Sequence, residues 1–302
     1  MSNIIKNTSY GEDVEYIFYG IVSEGRRCYF NFEINNVFVS DPKLHIKFNE
    51  NINIENFSIG KLLNLIELAI YDATDSTNTN NKIIHEKIFS PMFDLLHGLK
   101  KFEFTFFENE LVLTLPFDLL TGDNGLFINN SNKQKVSLIV EFNNVYSIND
   151  GTIFVKHYNK LIADVDKLIT NYKSYYYTGG EMVNNGTCRS IIRLKNTINK
   201  LYFCFYENDT IVRNKCFDIC RIQLNGNDYY TDLFIMNKHK NKNLIDGYYC
   251  VDFGENLNLN NYNDAQLVLY SVNNMEKNLT LHVFCEVPHM HMYVNNNYIV
   301  IQ

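Results

Sequence analysis

The chain has 302 residues, 46% of them apolar and 20% charged, with a net charge of −7 at neutral pH. That length accommodates one large or two medium domains with a sizeable core. Residues 1–150 carry 12 Lys and Arg against 20 Asp and Glu, and residues 151–302 carry 15 against 14, so no basic stripe marks a phosphate-binding surface.

Other features of the composition point the same way. The 21 Tyr and 22 Phe favour strands, and there is no Trp. Asparagine, roughly one residue in seven, supplies turns that tolerate left-handed backbone without glycine. No apolar run is long enough to cross a bilayer as a helix. Met1 to Tyr10 is polar and charged, so no secretory leader is expected. The seven cysteines, an odd number, are expected to be free and mostly buried in a reducing compartment.

In chain order, Glu15–Ile21, Cys28–Phe38 and Leu44–Phe48 read as strands. Leu62–Tyr71 is almost continuously apolar, and periodicity does not decide between a buried strand and a buried helix. Asp72–Asn81 is a polar loop. Ser90-Pro91 is expected to open a short helix, Ser90 as N-cap and Pro91 in the first helical position, with Met92, Leu95, Leu96 and Leu99 on one face. Leu111, Leu113 and Leu115 alternate with Val112 and Thr114 in a strand that Pro116 ends, because proline cannot donate to a ladder. A Gly-Asp-Asn-Gly turn, the short run Leu126–Ile128 and a strand Val136–Phe142 follow. The apolar spacing of Leu161, Val165, Leu168, Ile169 and Tyr172 predicts an amphipathic helix over Asn159–Tyr172, read as a connector between two halves. The boundary is placed at residue 155, giving domains 1–155 and 156–302. Eight short strands are expected in the second half: Ile191–Leu194, Leu201–Tyr206, Phe217–Leu224, Tyr248–Phe253, Gln266–Val272, Leu279–Val287, Met290–Val294 and Tyr298–Ile301.

Candidate chemistry is sparse. His289 and His291 would share one face of a strand, where two imidazoles at i and i+2 can bind a metal. A cupin-type site needs a carboxylate and a third histidine. His282 is near in sequence, but Glu286 is cut off by Pro288, so the pair reads as a surface or interface pair. Cys216 and Cys220 form a C-x₃-C spacing without the second pair that zinc modules use, and read as packed thiols. Glu108 and Glu110 read as solvent faces of strands. The Asn-x-Ser/Thr sequons at Asn56 and Asn185 read as accidental. There is no Gly-x-Ser-x-Gly elbow and no Gly-x-x-x-x-Gly-Lys phosphate loop. No residue is assigned as catalytic, cofactor-binding or metal-binding.

Leu115-Pro116-Phe117 followed by Gly125-Leu126 resembles a signature in the first jelly roll of the major capsid proteins of nucleocytoplasmic large DNA viruses. Three further segments resemble that family in the same order. They are the strand with Asn225-Gly226, the aromatic strand Tyr248–Phe253, and the terminal pair Met290–Val294 and Tyr298–Ile301. Gly254–Asp264 departs from the family's Pro/Ser-rich segment at that place. The resemblance implies an all-β chain of two consecutive antiparallel jelly-roll sandwiches with a few short helices. It implies a structural capsid protein, not an enzyme, without cofactors, forming homotrimers that tile an icosahedral shell beside neighbouring capsid proteins. Its place would be the virion, and the host cytoplasm during assembly, with contact to an inner viral membrane left open and no direct nucleic-acid contact. Two alternatives stay open: a viral assembly scaffold of the same fold, and a monomeric jelly-roll module binding carbohydrate or another ligand. A cupin-type metalloenzyme rests on His289 and His291 alone.

Overall fold

The computed structural model describes residues 3–5, 10–23, 27–32, 35–39, 41–54, 57–72, 82–120, 126–129, 134–149, 154–162, 167–183, 186–208, 210–214, 216–230, 235–236, 246–272, 278–294 and 297–301. Two compact units result, one of Met1–Ser174 with His289–Gln302 and one of Tyr175–Pro288.

The first unit runs through β1 (Asn3–Ile5), β2 (Tyr10–Tyr19), β3 (Ile21–Ser23), β4 (Arg27–Phe32), β5 (Asn35–Val39) and β6 (Lys43–Lys47). A single helical turn, α1 (Ile59–Leu62), leads into β7 (Leu63–Asp72), then β8 (Lys82–Phe89) and α2 (Ser90–Gly98). β9 (Phe104–Phe107), β10 (Glu110–Thr114), β11 (Leu126–Asn129), β12 (Gln134–Phe142) and β13 (Phe154–Ile162) follow, and β14 (Lys167–Val183) begins in this unit. Four strands lie in the order β2-β13-β6-β10, with β9 outside β10; four more lie as β4-β12-β7-β8, with β3 outside β4.

Register shows why these residues form sheets with a core between them. Three rows cross the second sheet: Cys28-Val140-Ile66-Ile88, Phe30-Leu138-Leu68-Glu86 and Phe32-Val136-Ile70-Ile84. All twelve side chains are buried, and eleven of them are apolar or thiol. Leu44 and Ile46 of β6 meet Leu113 and Leu111 of β10 in the same way. Burying a side chain of this size stabilises by roughly 1.5–3 kcal/mol, which fixes register because a one-residue slip would turn every one of them outward.

The second unit contains the rest of β14, then β15 (Gly186–Ile191), β16 (Thr197–Glu207), β17 (Thr210–Ile211), β18 (Ile219–Leu224), β19 (Asn227–Tyr230) and β20 (Ile235–Met236). β21 (Tyr248–Asn258), β22 (Ala265–Val272) and the first ten residues of β23 (Leu279–Val294) complete it, while the end of β23 and β24 (Asn297–Ile301) belong to the first unit. Its sheets are β14-β23-β16-β21 and β15-β22-β18-β19. Between them Leu201, Phe203, Phe205, Ile222, Leu267, Leu269, Leu281 and Val283 form one apolar cluster.

Numbering the eight principal strands of each unit in chain order, the two sheets run 1-8-3-6 and 2-7-4-5 in both units. That doubly Greek-key order is a jelly roll, and the chain is two of them. β18 and β19 are joined by Asn225-Gly226, both with positive φ (50° and 80°), the two-residue hairpin turn that needs Asn-Gly.

One reading left open is settled and four change. Leu62–Tyr71 is strand: Leu62 ends α1 and β7 takes up the rest. Of the predicted helix over Asn159–Tyr172, the described residues 159–162 and 167–172 are strand: Phe154–Ile162 pairs along β2, and Thr170, Tyr172 and Ser174 are buried by alternation. Cross-strand pairing of β-branched and aromatic residues outweighs an apolar spacing that suits a helix. Ser90 is the first helical residue, not the N-cap; its hydroxyl donates instead to the Gly60 carbonyl at 2.6 Å, tying α2 to α1. Met290–Val294 is not separate from Leu279–Val287. β23 continues through Pro288, which sits where pairing with β16 ends at Glu286 and pairing with β24 starts at Met290, so neither of those two ladders needs its missing N–H. The boundary expected at residue 155 falls inside β13, where Val155 pairs with Phe18 of β2 and Leu44 of β6, whereas the compact units part after Ser174.

Candidate functional site

β23 carries His289 and His291 on one face, as expected from alternation, but neither is a surface residue. His291 is fully buried and His289 nearly so. Ser174 Oγ lies 2.5 Å from His289 Nε2, and the Tyr172 ring stacks on His289 at 5.1 Å while meeting His291 edge-on at 5.3 Å. Burial pushes both imidazoles down to about 4, His289 adding to the effect on His291. At neutral pH the pair is therefore uncharged, the form that ligates metals. Among the described residues, however, no group of three or more His, Cys, Asp or Glu side chains converges.

The two residues considered as further ligands point elsewhere. His282 and Glu286 belong to the second unit, His289 and His291 to the first. In the second unit His282 Nδ1 lies 2.6 Å from the Tyr177 hydroxyl. Glu286, also buried, accepts from the hydroxyls of Tyr175 at 3.2 Å and Tyr202 at 3.4 Å. Burial is the main cause that raises the Tyr202 phenol, so it stays a donor at any ordinary pH.

The thiols are packed, not poised. Cys220 belongs to the core of the second unit and Cys216 packs against it. Burial pushes Cys188 and Cys216 up to about 11 and Cys250 and Cys285 up to about 12, so none of these four is a thiolate at neutral pH. Glu110 Oε1 lies 2.6 Å from His45 Nδ1, while Glu108 is an exposed turn residue. Asn56, Asn185 and Gly125 lie outside the described residues. Leu115-Pro116-Phe117 is buried directly after β10, so this motif closes the core of the first unit.

One buried group was not singled out from the sequence. Glu86 occupies the inward row Phe30-Leu138-Leu68-Glu86, its Oε1 has no hydrogen-bond partner, and burial, with Asp118 nearby, pushes its carboxyl up to about 8. The Ile84, Glu86, Ile88 alternation was the available clue. Asp118 itself accepts from Lys101 Nζ at 2.9 Å and from the Lys173 amide at 2.8 Å.

No family model and no curated protein matches this sequence. Solved structures do match its fold along nearly the whole chain. The capsid of the virus PBCV-1 superposes with a TM-score of 0.70 at 12% identity, covering 99% of this chain and 98% of the other. The Sputnik virophage structure gives 0.57 at 9% identity over 98% and 89%. The mavirus major capsid protein gives 0.51 at 9% identity over 95% and 90%. The strand order of both units and these superpositions agree on one fold, the double jelly roll of viral capsid proteins.

Proposed function

We propose that the chain is a structural capsid protein, assembling as trimers that tile an icosahedral viral shell beside other capsid subunits. The observation that carries this reading is the PBCV-1 superposition, which takes in both jelly rolls and leaves almost no residue of either chain unmatched. A shell subunit works through contact area and needs no reaction centre. The titratable groups at hand fit that role: the imidazoles of β23, the core thiols and Glu86 are built into packing. On this reading the chain is not an enzyme, and it resides in the virion after assembly in the host cytoplasm.

Native mass spectrometry of the purified chain, together with a glycan array, tests the proposal. A species of three times the 35.4 kDa chain mass, without glycan binding, is the expected result. A monomer at micromolar concentration that binds a sugar would replace it with the ligand-binding module.

A further inference from the structure

β23 changes partners around Pro288. Up to Glu286 it pairs with β16, and from Met290 to Val294 it pairs with β24, whose ladder partner among the described residues is β23 alone. Pro288 itself has no N–H to donate. The segment beyond it belongs to the first unit, where it lies beside β14 and where β8 approaches β24.

The seam between this segment and β14 is built on imidazole. His289 and His291 share one face of the strand, about 7 Å apart along it. Both are buried beside Thr170, Tyr172 and Ser174 of β14, with Ser174 Oγ at 2.5 Å from His289 and the Tyr172 ring against both imidazoles. The neighbouring strands bring neutral residues: Val300 of β24 stands opposite His291, and β1 sets Asn3, Ile4 and Ile5 against β14. The charged groups nearby are turned away or already paired. Lys173 alternates to the other face of β14, where its amide donates to Asp118, which also holds Lys101. On β8, His85 and Lys87 meet Glu67, Lys82 stands opposite Tyr71 of β7, and Glu86 lies in the core row opposite Leu68.

We infer that the pair is an acid-operated latch: on taking up protons, His289 and His291 open the seam with β14 and release the end of β23, together with β24, while the rest of the first unit stays folded. Two imidazolium ions on one buried strand face repel each other and lack the hydration that exposure gives them. His291 is fully buried and reaches water only when the strand moves. Release of the segment frees both rings at once, so the second proton reinforces the first, as in other histidine clusters that sense pH. The smallest piece that can leave is bounded by Pro288, where β16 no longer holds β23. The latch lies within one chain, so it operates whether or not that chain assembles as a trimer.

Hydrogen–deuterium exchange of the full chain at pH 7 and pH 5, read by mass spectrometry and corrected for the chemical exchange rate, tests the latch. With each imidazole lowered from 6.5 to about 4, peptides covering residues 289–301 should lose protection about twentyfold through one ring alone, and further through the second. Residues 134–142 of β12, in the same unit, should keep their protection. In His289→Leu with His291→Leu the pH dependence at 289–301 should vanish, whatever that variant's absolute stability. A titration of the ring resonances of the parent chain by NMR needs no variant, and two of the eight histidines should stay neutral down to pH 5. Equal loss of protection at 134–142 and 289–301 would mean global unfolding and overturns the inference. So does unchanged protection at pH 5, a response that survives in the double variant, or titration of all eight rings near pH 6.5.

Discussion

Acid should unfold this protein partly through two histidines. His289 and His291 are depressed from 6.5 to about 4 in the folded chain. A depressed histidine costs nothing at pH 7, where it is neutral both folded and unfolded. As pH falls below 6.5 the unfolded chain takes up the proton and the folded chain does not, so stability is lost progressively until about pH 4. Each pH unit of that gap is worth about 1.4 kcal/mol, so the full loss through His291 alone is about 3 kcal/mol and the loss by pH 5 is about 2 kcal/mol. No solvent discount applies, because His291 is fully buried. The two sites are coupled, so charging both adds less than the sum for either site counted last. Urea unfolding of the parent and of His291→Leu, at pH 7 and pH 5, measures the effect. Whatever the substitution does to absolute stability, the readout is the difference between the two pH values, which should shrink by about 2 kcal/mol in the variant. An unchanged pH dependence would show that His291 is charged in the folded chain or open to water, and the reasoning would fail.

Glu86 gives the opposite sign. Its raised carboxyl costs nothing below pH 4.5, and the cost grows as pH rises towards about 8, so Glu86→Gln should raise stability at pH 7 by up to about 3 kcal/mol, less whatever its buried amide loses in unmade hydrogen bonds; thermal melts at pH 5 and pH 7 would show the gain at the higher pH. Gly20→Ala should cost about 1–3 kcal/mol by overpacking, since a Cβ there would meet Cys28 Sγ at 1.9 Å, and equal melting temperatures would refute it. Gly226→Ala meets no atom within 4 Å, so its cost, about 1 kcal/mol, should come from φ alone, and Gly226→Asn should recover part of it in the same denaturant titration.

Much of the fold was legible because jelly-roll strands alternate. Cys28–Phe32, Leu44–Ile46, Leu111–Leu115 and Val136–Phe142 bury every second side chain, and each was readable as strand. Asn225-Gly226 announced its hairpin, since few other pairs accept two successive positive φ values. Asn159–Tyr172 misled because spacing at three and four residues also arises by chance in a chain this rich in Leu, Ile and Tyr. Its pairing partners, β2 for residues 159–162 and β1 for residues 167–169, lie far away in sequence. Pro288 misled for a related reason: proline excludes a ladder bond, not a strand, and it stands where pairing passes from β16 to β24.

The histidine pair shows the limit for sites. Its common face was visible from i, i+2 spacing, but its burial depends on Tyr172 and Ser174, more than a hundred residues upstream, which no local pattern connects to it. The two jelly rolls show the limit for repeats. The fourth and fifth strands are linked by Asn225-Gly226 in the second unit and by the polar sequence of residues 73–81 in the first, the same link in strand order made by unrelated residues. What the two halves share is strand order, and strand order requires only that inward positions be apolar and that register be unique. Many sequences meet that requirement, which is how a match of 0.70 over the whole chain coexists with 12% identity. The positions that depart from it, Glu86 in an apolar row and the buried imidazoles of β23, are therefore where this chain's own properties are to be sought.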